Sequence, residues 1–310
     1  MNSPAEAEVR NVTVGIEGGW RTKNLLGVAA SEAIRRGTRL AILTVLRPVL
    51  DPERSKAGLK ADAEHAETTA WRHLAAAAAS VHAGAPELTV TTHLLSEAEA
   101  EVGRDPLSHT ELLVVGDFGQ YGRRAFGLES ESRVLFKAAV CPVLVVPEGY
   151  LVGLDQQERS GVLIGVGEHP SDAAIIQAGY VESARRGCAA QLIHAYADYP
   201  SETPDDAFRR AAEVVARALA GVPTPHPPAS VLLTQDTAAG ALGRLAAGAS
   251  LLVIGSRPGS LSGLTWGSVG REILAALPCP MLVIPRSVAD SQLSPALAAY
   301  PTSRRTASSP

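Results

Sequence analysis

Short apolar runs and longer stretches of helical periodicity alternate along this chain, and the whole alternation is written twice. In the first half the apolar runs predict strands at 10–16, 39–46, 88–95, 111–116 and 142–146. The periodic stretches between them predict helices at about 20–36, 58–83, 97–107 and 129–139. In the second half the strands fall at 161–166, 189–195, 229–234, 250–254 and 281–284, with helices at about 171–186, 203–220, 237–248 and 267–276. Runs such as Leu112 to Val115 and Leu251 to Ile254 have no polar alternation, as expected of strands covered on both faces. Strands joined by helix-length segments pair in parallel, so the predicted class is α/β: two tandem, doubly wound, five-stranded parallel sheets of Rossmann-like type.

The two halves align residue by residue. Val12-Thr13-Val14-Gly15 matches Val162-Leu163-Ile164-Gly165, and Arg35-Arg36-Gly37 matches Arg185-Arg186-Gly187, both at an offset of 150. Gly116 matches Gly255 at an offset of 139, and Cys141-Pro142 matches Cys279-Pro280 at 138. The second copy is therefore 11 residues shorter between its second and fourth strands, and one residue shorter in the turn that follows. A repeat this long is a domain rather than a solenoid unit. The expected organisation is a first domain at 1–149, a polar linker at 150–157, a second domain at 158–288 and a disordered tail at 289–310, where apolar periodicity ends.

Composition narrows the class. With 310 residues, 46% of them hydrophobic, and a net charge of −4, the chain has the make-up of an ordinary globular protein. It has no basic surplus for nucleic acid, no apolar run near the roughly 20 residues that span a membrane, and no basic-then-apolar leader in its first ten residues. A cytoplasmic location is the expectation. Cys141, Cys188 and Cys279 have neither metal-site nor redox spacing and read as small buried thiols. His65 and His73, eight residues apart on one predicted helix, have no third ligand at metal spacing, so no metal is expected.

The candidate chemistry lies in the glycine- and serine-rich turn after the fourth strand of each copy. In a doubly wound sheet, ligands bind beyond the C-terminal strand ends. Glycines there let backbone N–H groups approach a phosphate, and a following helix adds its positive N-terminal end. Gly116, Gly119 and Ser130 in the first copy fit such a cradle, as do Gly255, Gly267 and Ser268 in the second. The same residues also fit an ordinary strand-to-helix turn with a serine N-cap. Arg123, Arg124 and Arg257 stand in these turns, either as phosphate partners or as solvated loop cations.

Aligned in this way, the stretch from Val9 to Arg286 resembles a tandem member of the universal stress protein family. Nucleotide-binding members of that family carry Gly, two residues, Gly, nine residues, then Gly-Ser or Gly-Thr, in a loop that holds ATP phosphates. An Asp after the first strand and a residue after the second frame ribose and adenine. The first copy keeps Gly116 and Gly119 but has Glu129 for the late glycine, and a carboxylate there repels phosphate. The second keeps Gly255 and Gly267-Ser268 but has Pro258, which lacks a backbone donor, with Gly259 beside it. The position of the first-strand Asp is held by Glu17 in one copy and Gly167 in the other, and the adenine positions fall on Val45 and Ala195. His194 reads as a structural or adenine-edge residue rather than a catalytic base, because no Ser or Asp partner is evident.

The resemblance further implies that the last strands, Pro142 to Pro147 and Pro280 to Pro285, pair with each other and join the domains as an intramolecular pseudo-dimer. Apolar edge strands bracketed by prolines need such a cover. The expected function is a stress-response binding protein that takes ATP or another adenine nucleotide, works through a regulatory protein partner without turnover, and leaves a homodimer open. Two alternatives stand beside it. One is an interaction module with decayed nucleotide sites. The other is an ATP-using hydrolase or nucleotidyl transferase, against which the chain has no GxxxxGK loop and no paired acidic metal ligands.

Overall fold

The computed structural model describes residues 10–16, 22–46, 56–103, 105–116, 131–147, 150, 161–197, 199, 201–223, 228–256, 268–275 and 277–285. The predicted tail at 289–310 lies outside them. The first half runs β1 (Asn11–Gly15), α1 (Thr22–Arg36), β2 (Arg39–Leu46), α2 (Lys56–Gly84), β3 (Val90–Ser96), α3 (Glu97–Glu101), a 3-10 turn (Leu107–His109), β4 (Thr110–Gly116), α4 (Glu131–Ala138) and β5 (Val143–Val146). The second half repeats the order with β6 (Val162–Gly165), α5 (Asp172–Arg186), β7 (Ala190–Tyr196), α6 (Pro204–Ala220), β8 (Ser230–Gln235), α7 (Ala238–Ala246), β9 (Leu251–Gly255), α8 (Ser268–Leu274) and β10 (Met281–Ile284).

The ten strands of the described residues form one sheet in the order β3-β2-β1-β4-β5-β10-β9-β6-β7-β8. Pairing is parallel within each half and antiparallel at the centre, where Leu144 stands opposite Leu282, Val145 opposite Met281 and Val143 opposite Val283. The expected pairing of the two last strands is thus present within one chain. Each covers the other's open backbone edge, and the sheet ends instead at β3 and β8, whose residues are mostly half-buried or exposed.

Local sequence explains the element ends. Helices α1 and α5 stop at Gly37 and Gly187, whose φ angles of 65° and 63° lie in the left-handed region that ends helices and that glycine adopts without strain. Thr203 caps α6 by accepting the Asp206 N–H, with Pro204 in the first helical position where no N–H is needed. One prediction needs correction. The helix expected over 97–107 ends at Glu101, followed by Gly103 at φ 65° and the separate turn at Leu107–His109. Pro106 keeps Asp105 out of the helical region and brings no N–H, which outweighs the apolar periodicity.

Buried side chains form two layers, one on each face of the sheet. Helices α1, α2, α5 and α6 cover one face, with Leu26, Ala29, Leu74, Ile176 and Val215 packed on Val14, Ile42, Ile164 and Leu192. Helices α3, α4, α7 and α8 cover the other, with Ala100, Leu135, Leu242 and Ile273 packed on Val115, Val145, Ile254 and Val283. Each layer is continuous through both halves. Packing also shows compensation between the copies: Ala29 and Val14 correspond to Gly179 and Ile164, so a methyl moves from helix to strand. A Cβ at Gly179 would lie 2.4 Å from the Ile164 side chain.

Candidate functional site

In the first half the chain passes from β1 to β2 and β3 on one side, then crosses to β4 on the other side of β1. The strand order reverses between β1 and β4, and between β6 and β9 in the second half. Crevices for ligands open at such points beyond the C-terminal strand ends. Gly116 and Gly255 end the strands that line these crevices, both half-buried. Among the described residues a Cβ at Gly116 would come no nearer than 3.9 Å to another side chain, that of Leu25, so their packing does not demand glycine there. Ser268 opens α8, as predicted. Val45 is buried near the end of β2 beside Leu95, and Ala195 is half-buried near the end of β7 beside Thr234. Gly119, Ser130, Glu17, Gly259 and Gly267, together with Glu129, Pro258 and the three loop arginines, lie outside the described residues.

His194 has a structural partner. Its Nδ1 is 2.9 Å from the Val166 carbonyl, which only accepts, so Nδ1 carries the proton. In the first half Thr44, the matching residue, donates its Oγ1–H to the Ile16 carbonyl at 3.0 Å. Both side chains therefore tie the end of the second strand of a copy to the end of its first. The His194 Nε2 remains a buried acceptor with no hydrogen bond among the described residues.

Near the strand ends, two features were missed by sequence reasoning. Asp172, the first residue of α5, is 1% exposed, and its Oδ2 lies 3.2 Å from where a Cβ of residue 167 would stand. A carboxylate thus occupies the neighbourhood of the family's first-strand Asp although Gly167 has none. It already accepts the His169 N–H at 3.2 Å. An acid in the first turn of a predicted helix was the available signal. The second feature is Arg210, which holds both Glu202 carboxylate oxygens at 3.0 Å, donates to the Ala197 carbonyl at 2.8 Å and lies 4.6 Å from the Tyr199 ring centre. This ties the segment after β7 to α6.

A separate polar centre sits at the seam where the two halves meet. Glu32 on α1 and Glu182 on α5 correspond across the halves, as do Arg36 and Arg186. Each arginine pairs with the glutamate one turn earlier on its own helix and with the glutamate of the other helix, Arg36 with Glu182 at 2.6 Å and Arg186 with Glu32 at 2.6 Å. Arg35 and Arg185 flank the group, binding Glu32 at 2.5 Å and Glu182 at 2.9 Å. Burial alone would raise the Glu182 pKa, but the Arg36, Arg186 and Arg185 guanidiniums pull it down to about 2. Burial would likewise lower the Arg186 pKa, and Glu182 and Glu32 raise it instead. Beside this cluster is a cavity of about 170 Å³ walled in part by Arg35, Arg185, Arg186, Cys188, Ser250 and Tyr150. Of the three cysteines Cys141 and Cys279 are buried as expected, with burial pushing the Cys141 thiol up to about 12, whereas Cys188 is only half-buried.

Comparison with known proteins places this architecture. The model of the Universal stress protein family matches residues 8–147 and again 159–285. Universal stress proteins of Mycobacterium tuberculosis and Mycobacterium bovis are each 31% identical over 210 residues, which cover 65% of this chain and 70% of theirs. Among solved structures, a universal stress protein from Archaeoglobus fulgidus DSM 4304 matches with a TM-score of 0.60 at 15% identity, over 90% of this chain and 99% of that one. A putative universal stress protein from Pseudomonas aeruginosa UCBPP-PA14 matches at 0.56 and 19% identity, over 91% and 96%. The chain belongs to the universal stress protein family, with the family unit present twice. Among the described residues no helix is long and apolar enough to cross a membrane, and no group of three or more His, Cys, Asp or Glu is placed to hold a metal ion.

Proposed function

We propose that this chain is a regulatory binding protein that takes ATP or another adenine nucleotide at the C-terminal ends of its strands and acts through conformation and protein partners rather than turnover. The observation that carries the reading is the strand-order reversal repeated in both halves, the point at which such sheets bind ligands, with Gly116 at the end of β4 clear of other side chains among the described residues. Backbone N–H groups and a helix start, rather than a nucleophile and base, are what such a crevice offers a phosphate.

A second reading, an interaction module with decayed nucleotide sites, is favoured by Asp172. Its carboxylate is sealed at 1% exposure and already bound to His169, so it has no free oxygen facing outward for a ribose hydroxyl. The two readings separate by ligand-linked stability. A ligand selective for the folded state at a hundredfold over its Kd adds about 2.7 kcal/mol. Nucleotide in the purified protein and a melting temperature that rises with millimolar ATP are the expected results. Protein free of nucleotide and indifferent to ATP overturns the first reading in favour of the second.

A further inference from the structure

The ion cluster at the seam is built twice, but it is not finished in the same way on both sides. On the first-half side Arg36 has a third carboxylate, Glu111, whose Oε1 lies 3.4 Å from its Nε. The strand registers identify the matching residue on the other side. Val12 pairs with Leu112 and Val162 with Leu251, while the Leu113 and Leu252 N–H groups bind the Pro142 and Pro280 carbonyls, each at 3.0 Å. Glu111 therefore corresponds to Ser250, and Arg36 to Arg186.

The serine is too short to do what the glutamate does. Its Oγ turns back to donate to the Gly161 carbonyl at 2.7 Å. Arg186 spends its Nη1 and Nη2 on Glu182 and Glu32, and its Nε–H has no hydrogen bond among the described residues. Across Arg35, Arg36, Arg185 and Arg186 against Glu32, Glu182 and Glu111, one positive charge is left over, and it is on the Ser250 side. That is where the cavity of about 170 Å³ opens, and among the described residues Arg35, Arg185 and Arg186 line it against the single carboxylate of Glu32. Its volume is several times the roughly 30 Å³ share of a water molecule, and guanidinium forks suit oxyanions.

We propose that this cavity binds a small oxyanion, of the class of inorganic phosphate or a short carboxylate, which supplies at Arg186 the charge that Glu111 supplies at Arg36. The anion locks the two halves together on the side where the described residues provide no third carboxylate. The site is separate from the strand-end crevices and does not depend on the nucleotide reading.

Inorganic phosphate, titrated into the full chain at constant ionic strength, is the probe. The expected result is a saturable rise in melting temperature of about 2–4 °C, one phosphate bound per chain by calorimetric titration, and slower alkylation of Cys188, the one half-buried thiol in the cavity wall. The Ser250→Glu variant copies the side that carries Glu111. It is expected to melt higher than the parent without phosphate and to lose the phosphate response, while keeping any ATP-dependent shift. A parent protein whose melting and Cys188 alkylation ignore phosphate overturns the proposal. So does a Ser250→Glu variant that responds as the parent does, or sodium chloride that reproduces the phosphate effect at equal ionic strength.

Discussion

Glu182 is 3% exposed, and the surroundings of its carboxylate decide how this interface responds to acid. Burial would hold the proton on it, yet the Arg36, Arg186 and Arg185 guanidiniums outweigh burial and take its pKa from 4.5 to about 2. A carboxyl whose pKa is lower folded than unfolded stabilises the fold fully above the unfolded value, and loses that contribution as pH falls towards the folded one. The protein should therefore lose stability between about pH 4.5 and 2 from this group, and Glu182→Gln should flatten the slope in that window when urea midpoints are compared across pH. At neutral pH the same substitution should cost about 3–5 kcal/mol, because it leaves buried guanidiniums short of a partner. Little of this was legible in the sequence. The paired Arg-Arg-Gly at an offset of 150 marks the duplication, but the glutamates one turn earlier, Glu32 and Glu182, have the pattern of single helix carboxylates, which are normally solvated. Only the folding of α1 against α5 turns them into one cluster. The candidate nucleotide residues fared differently. Their strand-end positions at Gly116, Val45, Ala195 and Gly255 followed from pattern alone, whereas Asp172 did not, since the carboxylate near residue 167 comes from five residues further along.

At the scale of elements, the strands and their order of helices were readable because burial on both faces gives continuous apolar runs, and β2 and β10 occupy the predicted limits. The misread segment was 97–107, where an amphipathic pattern ran on past a glycine and a proline that end α3 in the structure. The packing of α5 on β6 was not readable at all, because it depends on which residue carries a methyl across an interface. The Ala29–Val14 pair of the first half becomes Gly179–Ile164 in the second, with 2.4 Å between Ile164 and the place of a Cβ at residue 179. Gly179→Ala should accordingly destabilise by about 1–3 kcal/mol through overpacking. Adding Ile164→Val should recover most of that loss, since it restores the arrangement of the other half. A double-mutant cycle by chemical denaturation measures the coupling; additive costs would mean that the two positions do not share the strain.

At the scale of the whole molecule, duplication in the sequence suggests two separate units, yet both buried layers pass uninterrupted from one half to the other. Differential scanning calorimetry of the full chain should show a single transition with calorimetric and van't Hoff enthalpies in agreement, and two resolved peaks would mean that the seam is weaker than its contacts imply. The pairing of the last strands was legible through family resemblance rather than through the residues themselves, because an apolar edge strand announces that it needs a cover without saying which. The antiparallel pairing of β5 with β10 has one more consequence. Two separate chains meeting along such a strand would assemble and come apart with their concentration. Here each half carries its own partner at an effective concentration of millimolar order. The fraction of the protein that is assembled in this way therefore does not depend on how much of it is present.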